Sequence, residues 1–293
     1  MMTPSKIAIF GEVLFDCFPT GEKVLGGAPF NIAWHLQALG DSPTFISKVG
    51  TDDLGKQIIK SALDWGLQAD NIQLDPVHPT GQVSITVEDD EPHYLIMPDS
   101  AYDFIDKHLI RLPSPPDILY HGTLALRNNT SRQTFEALAK TSGAPLFLDV
   151  NLREPWWQKE ETEQWLARAT WVKLNIDELK TLGFSSKTVE SDMRNFQAEF
   201  NLEQVIVTRG AQGTIVLTQE NQFHQNTPST LENFIDTVGA GDAFTAVYIH
   251  GLMSNWSIDK TLAAAQQFAS QVIGIRGATS TDPAFYQRFI ETL

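Results

Sequence analysis

The chain has 293 residues, 42% hydrophobic and 19% charged, the balance of a folded globular protein and not of a disordered one. Its formal net charge of -15 at pH 7 argues against nucleic acid and anionic membrane surfaces, which need a basic face; a small anion can still be held by local amides or a few Lys and Arg residues. The one cysteine, Cys17, excludes an internal disulfide and a cysteine zinc cage and fits a reducing cytosol.

The first segment, "MMTPSKIAIFGEVLF", has a lone Lys6 and then a strand-like run, with no signal-peptide pattern. No apolar stretch reaches membrane-spanning length. A cytoplasmic protein is expected, and the glycosylation-like triplets at Asn128, Asn129 and Asn255 are read as chance matches. "KIAIFG" (6–11) predicts a strand and "PFNIAWHLQALG" (29–40) a helix ending at Gly40. "TFISKVG" (44–50) predicts a strand and "DLGKQIIKSALDWG" (53–66) a helix. Further on come strand "DILYHG" (117–122), helix "RQTFEALAKTSG" (132–143), strand "PLFLDV" (145–150) and helix "ETEQWLARA" (161–169). Strand "TWVKLN" (170–175), helix "DELKTLG" (177–183), strand "QVIVTRG" (204–210) and helix "AFTAVYIHGLM" (243–253) complete the pattern. Such alternation gives an α/β fold whose mainly parallel sheet has helices on both faces and binds ligands beyond the carboxyl ends of its strands. Asn151 and Arg153, Asn175 and Glu178, and Thr208, Arg209 and Gly210 all follow directly after strands, so they point to one edge.

Two segments break the alternation. "GEVLFDCFPTGEKVL" (11–25) and "TGQVSITVEDDEPHYLIM" (80–97) read as hairpins turning at Pro19-Thr20-Gly21 and Asp89-Asp90-Glu91. With no repeat or linker, the expectation is a single domain over 1–293 carrying a small β lid from about 12–25 and 80–102. "GTDDLGKQ" (50–57) nearly fits a P-loop, but Gln57 replaces the Ser or Thr that would hold Mg²⁺, and Asp52 and Asp53 would face the phosphates.

The most specific stretch is "FIDTVGAGDAF" (234–244). Its glycines let several backbone N–H groups converge, and the helix that follows presents a positive N-terminus, together an anion hole suited to phosphate. Asp242 in the first helical turn is then placed as a general base for an attacking hydroxyl. Asp236 would serve a cation or the loop's own amides. A tight loop capped by Asp242 accounts for less of the string.

"DTVGAGDAF" strongly resembles the signature of the PfkB/ribokinase family of sugar and nucleoside kinases, and the resemblance covers nearly the whole chain. It implies a ribokinase-like three-layer α/β/α fold with a β-sheet lid, Asp242 as catalytic base, and Gly239, Ala240 and Gly241 as the hole for the transferring phosphate. "GEVLFD" resembles the family's first strand, which implies sugar binding by Asp16. "LGGAPFNIAWHLQALG" resembles its Gly-Gly…Asn element, which implies that Gly26, Gly27 and Asn31 line the sugar site. "LNIDEL" matches Asn-x-x-Glu, which implies that Asn175 and Glu178 hold Mg²⁺ largely through water; an N-cap Asn with a capping-box Glu has the same spacing. "VIVTRGAQGT" resembles the nucleotide-site turn and implies that Thr208 and Gly210 lie near ATP, although a hairpin turn also fits. "VIGIRGATSTDP" resembles the late loop that supports a monovalent cation such as K⁺, with Asp236 and the Val238 carbonyl as further ligands.

"FLDVNLREPWW" resembles the Asp-x-Asn-x-Arg…Trp stretch of bacterial fructokinases and of 2-keto-3-deoxygluconate kinases, with Arg153 clamping an anion. "PDSAYDFI" resembles the lid return, with Tyr94 or Tyr102 stacking on sugar. The activity implied is ATP-dependent phosphorylation of a ketose, fructose first. The alternatives are a 2-keto-3-deoxygluconate kinase, a ribokinase, or a non-catalytic sugar- or nucleotide-binding regulator on the same fold. A homodimer through the lid is expected, with Val87, Tyr94 and Ile96 burying its surface.

Overall fold

The computed structural model describes residues 6–88, 91–227 and 238–293, and of residues 87, 88, 91 and 92 the backbone alone. The chain begins with β1 (Ile7–Phe10), β2 (Leu14–Cys17), β3 (Lys23–Gly26), α1 (Ala28–Ala38), β4 (Thr44–Gly50), α2 (Asp53–Asp64) and β5 (Ile72–Asp75). A hairpin of β6 (Gly81–Glu88) and β7 (Glu91–Ile96) precedes β8 (Ile118–His121), α3 (Asn129–Ser142), β9 (Leu146–Asp149), α4 (Lys159–Leu166) and β10 (Trp171–Asn175). Then follow α5 (Ile176–Thr181), α6 (Val189–Phe200), β11 (Gln204–Thr208), β12 (Thr214–Thr218), β13 (Phe223–Asn226), α7 (Ala240–Met253), α8 (Ile258–Val272) and α9 (Pro283–Ile290).

β1 shows why the architecture has three layers. Its four residues are all buried, with Ile7 and Ile9 in one hydrophobic core and Ala8 and Phe10 in another. Successive side chains point to opposite faces, so a strand apolar at every position needs cover on both sides. Helices α1, α2, α7, α8 and α9 supply one cover, through residues such as Phe30, Ile58, Val247, Phe268 and Phe289. Helices α3, α4, α5 and α6 supply the other, through Phe135, Leu166, Leu179 and Phe196.

Among the described residues the main sheet has nine strands in the order β13-β12-β11-β10-β9-β8-β1-β4-β5. It is parallel from β11 to β5, while β12 runs antiparallel to both neighbours. The order grows away from β1 in both directions, through β4 on one side and β8 on the other, which makes a switch point beside β1 where ligands bind beyond the strand ends.

The lid is a second sheet, β3-β2-β6-β7. Leu14, Val83, Ile85 and Ile96 form its apolar core with Tyr102 and Leu124. Asp52 fixes the entry to β6: its carboxylate accepts from Gly55 N as the cap of α2 and from Thr80 N and Oγ1. The near-P-loop segment is therefore a clamp under the lid. The lid hairpins and the alternation agree with the sequence reading, with Asp89 and Asp90 of the second turn outside the described residues, but two side chains do not. Tyr102 is fully buried, with Arg127 packed on its ring, so it cannot stack on a sugar. Ile96 is buried within its own chain and so is not free to cover a dimer surface. Tyr94 and Leu95 on the edge strand β7 are exposed, and the Val87 side chain lies outside the described residues.

Candidate active site

α7 begins where the backbone can turn only at glycine. Gly239, its N-cap, has φ of 79°, and a Cβ there would lie 2.4 Å from Ala278 Cα. Ala240, Gly241 and Asp242 follow as the first helical turn, whose N–H groups have no partner within the helix. Asp242 does not cap the helix. Its Oδ2 accepts a 2.8 Å hydrogen bond from Nδ2 of Asn31, which is 4% exposed in α1. Asn31 reaches that point because α1 starts at Gly27, with φ of 106°; a Cβ there would lie 2.8 Å from the Glu12 carbonyl oxygen.

The charge below this turn was not foreseen in the sequence. Asp149 and Lys173 are direct partners in the register of β9 and β10, and both point toward α7. Lys173 Nζ donates to Asp149 Oδ2 at 2.9 Å, Thr245 Oγ1 of α7 donates to the same oxygen, and both charged side chains are buried. A Cβ on Gly241 would lie 3.2 Å from Lys173 Nζ, so the ammonium sits against the glycine turn. Burial lifts the Asp242 carboxyl above the ordinary range; the Asn31 hydrogen bond and the Lys173 and Arg153 charges oppose the rise, and Asp149 adds to it. The signal available in sequence was a charge at an inward position of each of two otherwise apolar strands.

These groups open into a cleft of about 640 Å³ between the sheet edge and the lid. The structure brings together there Asp16, Gly26, Gly27, Asn31, Arg153, Asn175, Thr208, Val238, Gly239, Gly241 and Asp242, all expected from sequence. Tyr94 of the lid also lines it, as does Glu12, a buried carboxyl that the sequence reading passed over. Ala240 lies within the turn without lining the cleft. Gly210 lies in an exposed turn between the antiparallel β11 and β12 and is not among the residues that line the cleft. Asp236 lies outside the described residues.

Asn175 and Glu178 form a reciprocal cap. Asn175 ends β10 and is the N-cap of α5, and Glu178 lies in the first turn of that helix. Its Oδ1 accepts from Asp177 N and Glu178 N, and Glu178 Oε2 accepts from Asn175 N at 2.8 Å. Glu178 Oε1 accepts from Leu152 N at 2.9 Å, tying α5 to the Arg153 loop. Each carboxylate oxygen keeps a further lone pair, which suits a hydrated cation better than direct ligation. Among the described residues no group of three or more His, Cys, Asp or Glu side chains is arranged to hold a metal directly, and no helix is long and apolar enough to cross a membrane.

The family model described as pfkB family carbohydrate kinase matches residues 6–284. Fructokinase of Salmonella typhimurium is 27% identical, over 97% of this chain and 97% of its own. Fructokinase-1 of Zea mays is 27% identical, over 90% of this chain and 89% of its own. The crystal structure of fructokinase from Vibrio cholerae with fructose, ADP and calcium superposes with a TM-score of 0.81 at 27% identity, covering 97% of this chain and 98% of that one.

Proposed function

Because the chain belongs to the pfkB family of carbohydrate kinases, we propose that it transfers the γ-phosphate of ATP to a hydroxyl of a ketose, fructose first. The observation that carries the reading is the Asn31–Asp242 hydrogen bond at the mouth of the glycine turn, which aims a partly desolvated carboxylate into the cleft beside an anion-binding helix N-terminus. Asp16, Gly26, Gly27, Asn31 and Arg153 form the sugar side, and Asn175, Thr208 and Gly210 the nucleotide side. The sugar hydroxyl gives its proton to Asp242 as its oxygen bonds to the γ-phosphorus; the bond from that phosphorus to the bridging oxygen breaks, and ADP leaves. The first-turn N–H groups of α7 and the ammonium of Lys173 meet the negative charge on the transferring group.

Asn175 and Glu178 would hold Mg²⁺ through water, and the ion when bound supplies positive charge on phosphate oxygens. The Val238 carbonyl, Asp236 and the late loop at Gly277 would take a monovalent cation such as K⁺. A second copy of the chain seated on the β7 edge, where Tyr94 and Leu95 are exposed, completes the proposal; light scattering should then give twice the 32.6 kDa of one chain, and a single-chain mass rejects it.

A coupled ADP-release assay with fructose, ribose, adenosine and 2-keto-3-deoxygluconate tests the substrate. Fructose should give the highest kcat/KM. Preference for any of the other three overturns the fructose reading and leaves the kinase in place. Arg153 favours one second reading, a sugar acid, because its exposed guanidinium lines the cleft and makes no ion pair among the described residues.

A further inference from the structure

Glu12 is a buried carboxyl at the cleft wall to which the reaction above gives no task. It follows β1 directly, at the switch point of the sheet, where its backbone carbonyl lies under the Gly27 turn. It is 3% exposed and lines the cleft, yet its Oε2 has no hydrogen-bond partner among the described residues. A buried acceptor without a partner is costly, and a group that supplies the missing donor recovers that cost. Asn31 Oδ1, in the same cleft, is also buried without a partner. Two unfilled acceptors in one cleft suit a ligand rich in O–H donors.

We propose that Glu12 is a hydroxyl-binding residue of the sugar site, its carboxylate Oε2 accepting a hydrogen bond from a hydroxyl of the bound sugar. The assignment rests on the carbohydrate-kinase reading and on no particular sugar. Several charged or titratable groups act on this carboxyl: Arg153 from the loop after β9, Asp242 from α7, and Arg127 beyond the turn at Leu124–Leu126. Tyr102 from the turn at Ala101–Phe104 and Tyr120 from β8 also sense it. Burial outweighs a hydrogen bond from its own backbone and the two arginine charges, and pushes the carboxyl up to about 7. A sugar hydroxyl bonds best to the charged form and so lowers that value, which links binding to release of a proton from Glu12 to solvent. Affinity is then greatest above about pH 7 and weakens as pH falls through it, by up to about tenfold per unit.

The experiment measures sugar KM and kcat from pH 5.5 to 8.5, with whichever sugar wild type phosphorylates fastest. The proteins are wild type, Glu12→Gln and Glu12→Asp, each also followed by thermal melting. The proposal expects wild-type KM to rise below neutral pH. For Glu12→Gln it expects KM at pH 8 raised about tenfold, little change with pH, and kcat within about threefold. Glu12→Asp, shorter by one methylene, should raise KM but keep the pH dependence. Unchanged KM with the wild-type pH profile in Glu12→Gln overturns the assignment. So does a fall in melting temperature and kcat together in both variants with KM untouched, which makes Glu12 a part of the fold only. A poor result with fructose and a good one with another sugar bears on the substrate reading and leaves this test intact.

Discussion

Asn31 Nδ2 and Asp242 Oδ2 are 2.8 Å apart across 211 positions of sequence. The bond joins two helices that each start at a glycine with positive φ, and it turns the Asp242 carboxylate away from capping its own helix and toward the cleft.

Asp242→Asn keeps size and shape but loses the ability to take a proton. Phosphoryl transfer should fall on the order of 10² to 10⁴ in kcat, with sugar and ATP still bound. Single-turnover kinetics and calorimetric titration check both parts; a near-wild-type kcat excludes the role.

Asn31→Ala should move the acid limb of the rate profile. The amide N–H favours the charged form of Asp242, so removing it raises further a carboxyl that burial already holds high. A base is active when unprotonated, and activity is lost as pH falls through its pKa; the acid limb of kcat/KM must therefore shift to higher pH. A profile with a lower overall rate and an unmoved limb would mean that Asn31 acts on sugar binding alone.

How far the sequence could carry this reading depended on distance along the chain. "DTVGAGD" and the glycines before α1 are local signals, because backbone conformations open to glycine and a helix start are written in adjacent residues. The strand-and-helix alternation was legible for the same reason, as was the lid, whose hairpins show turn residues between apolar runs. β12 and β13 were not expected as strands, nor α6, α8 and α9 as helices: the short, largely polar β13 shows no apolar alternation, and the turn at Gly210 fits a hairpin and a nucleotide loop alike. The Lys173–Asp149 pair depends on the register of two strands 24 positions apart, which composition does not reveal. Tyr102 was misread because a lid aromatic looks the same in sequence whether it faces the ligand or the core. Glu12 was hidden by its neighbours, one acidic residue in a run of buried apolar ones.

Lys173→Met should destabilise the fold by about 3–5 kcal/mol, since Asp149 is left buried without its counter-charge. Urea unfolding measures the loss. Adding Asp149→Leu should recover part of the stability but none of the activity, because the ammonium against the glycine turn stays absent. Recovery of activity along with stability would show that the pair is structural only.

Gly239→Ala tests the anion hole without touching a charged group. Its φ of 79° strains any residue with a Cβ, and that Cβ would fall 2.4 Å from both Ala278 Cα and Ala278 Cβ. The backbone conformation alone costs about 1–3 kcal/mol. The overlap is with backbone and a short side chain, so the loop or the first turn of α7 must move to relieve it. A shift there misaligns the first-turn N–H groups with the transferring phosphate, and positioned donors of this kind are each worth about 10²–10³ in kcat. The expected result is a kcat loss of at least that size with sugar KM little changed, because the sugar-side residues on β2 and α1 lie on other elements. Gly143→Ala is the control: Gly143 also has positive φ, 62°, but a Cβ there meets nothing within 4 Å, and it caps α3 ahead of β9, at the other end of that strand from the Arg153 loop. It should cost stability alone. If Gly239→Ala behaves as this control does, the turn at Gly239 is a fold requirement and the phosphate must be held elsewhere.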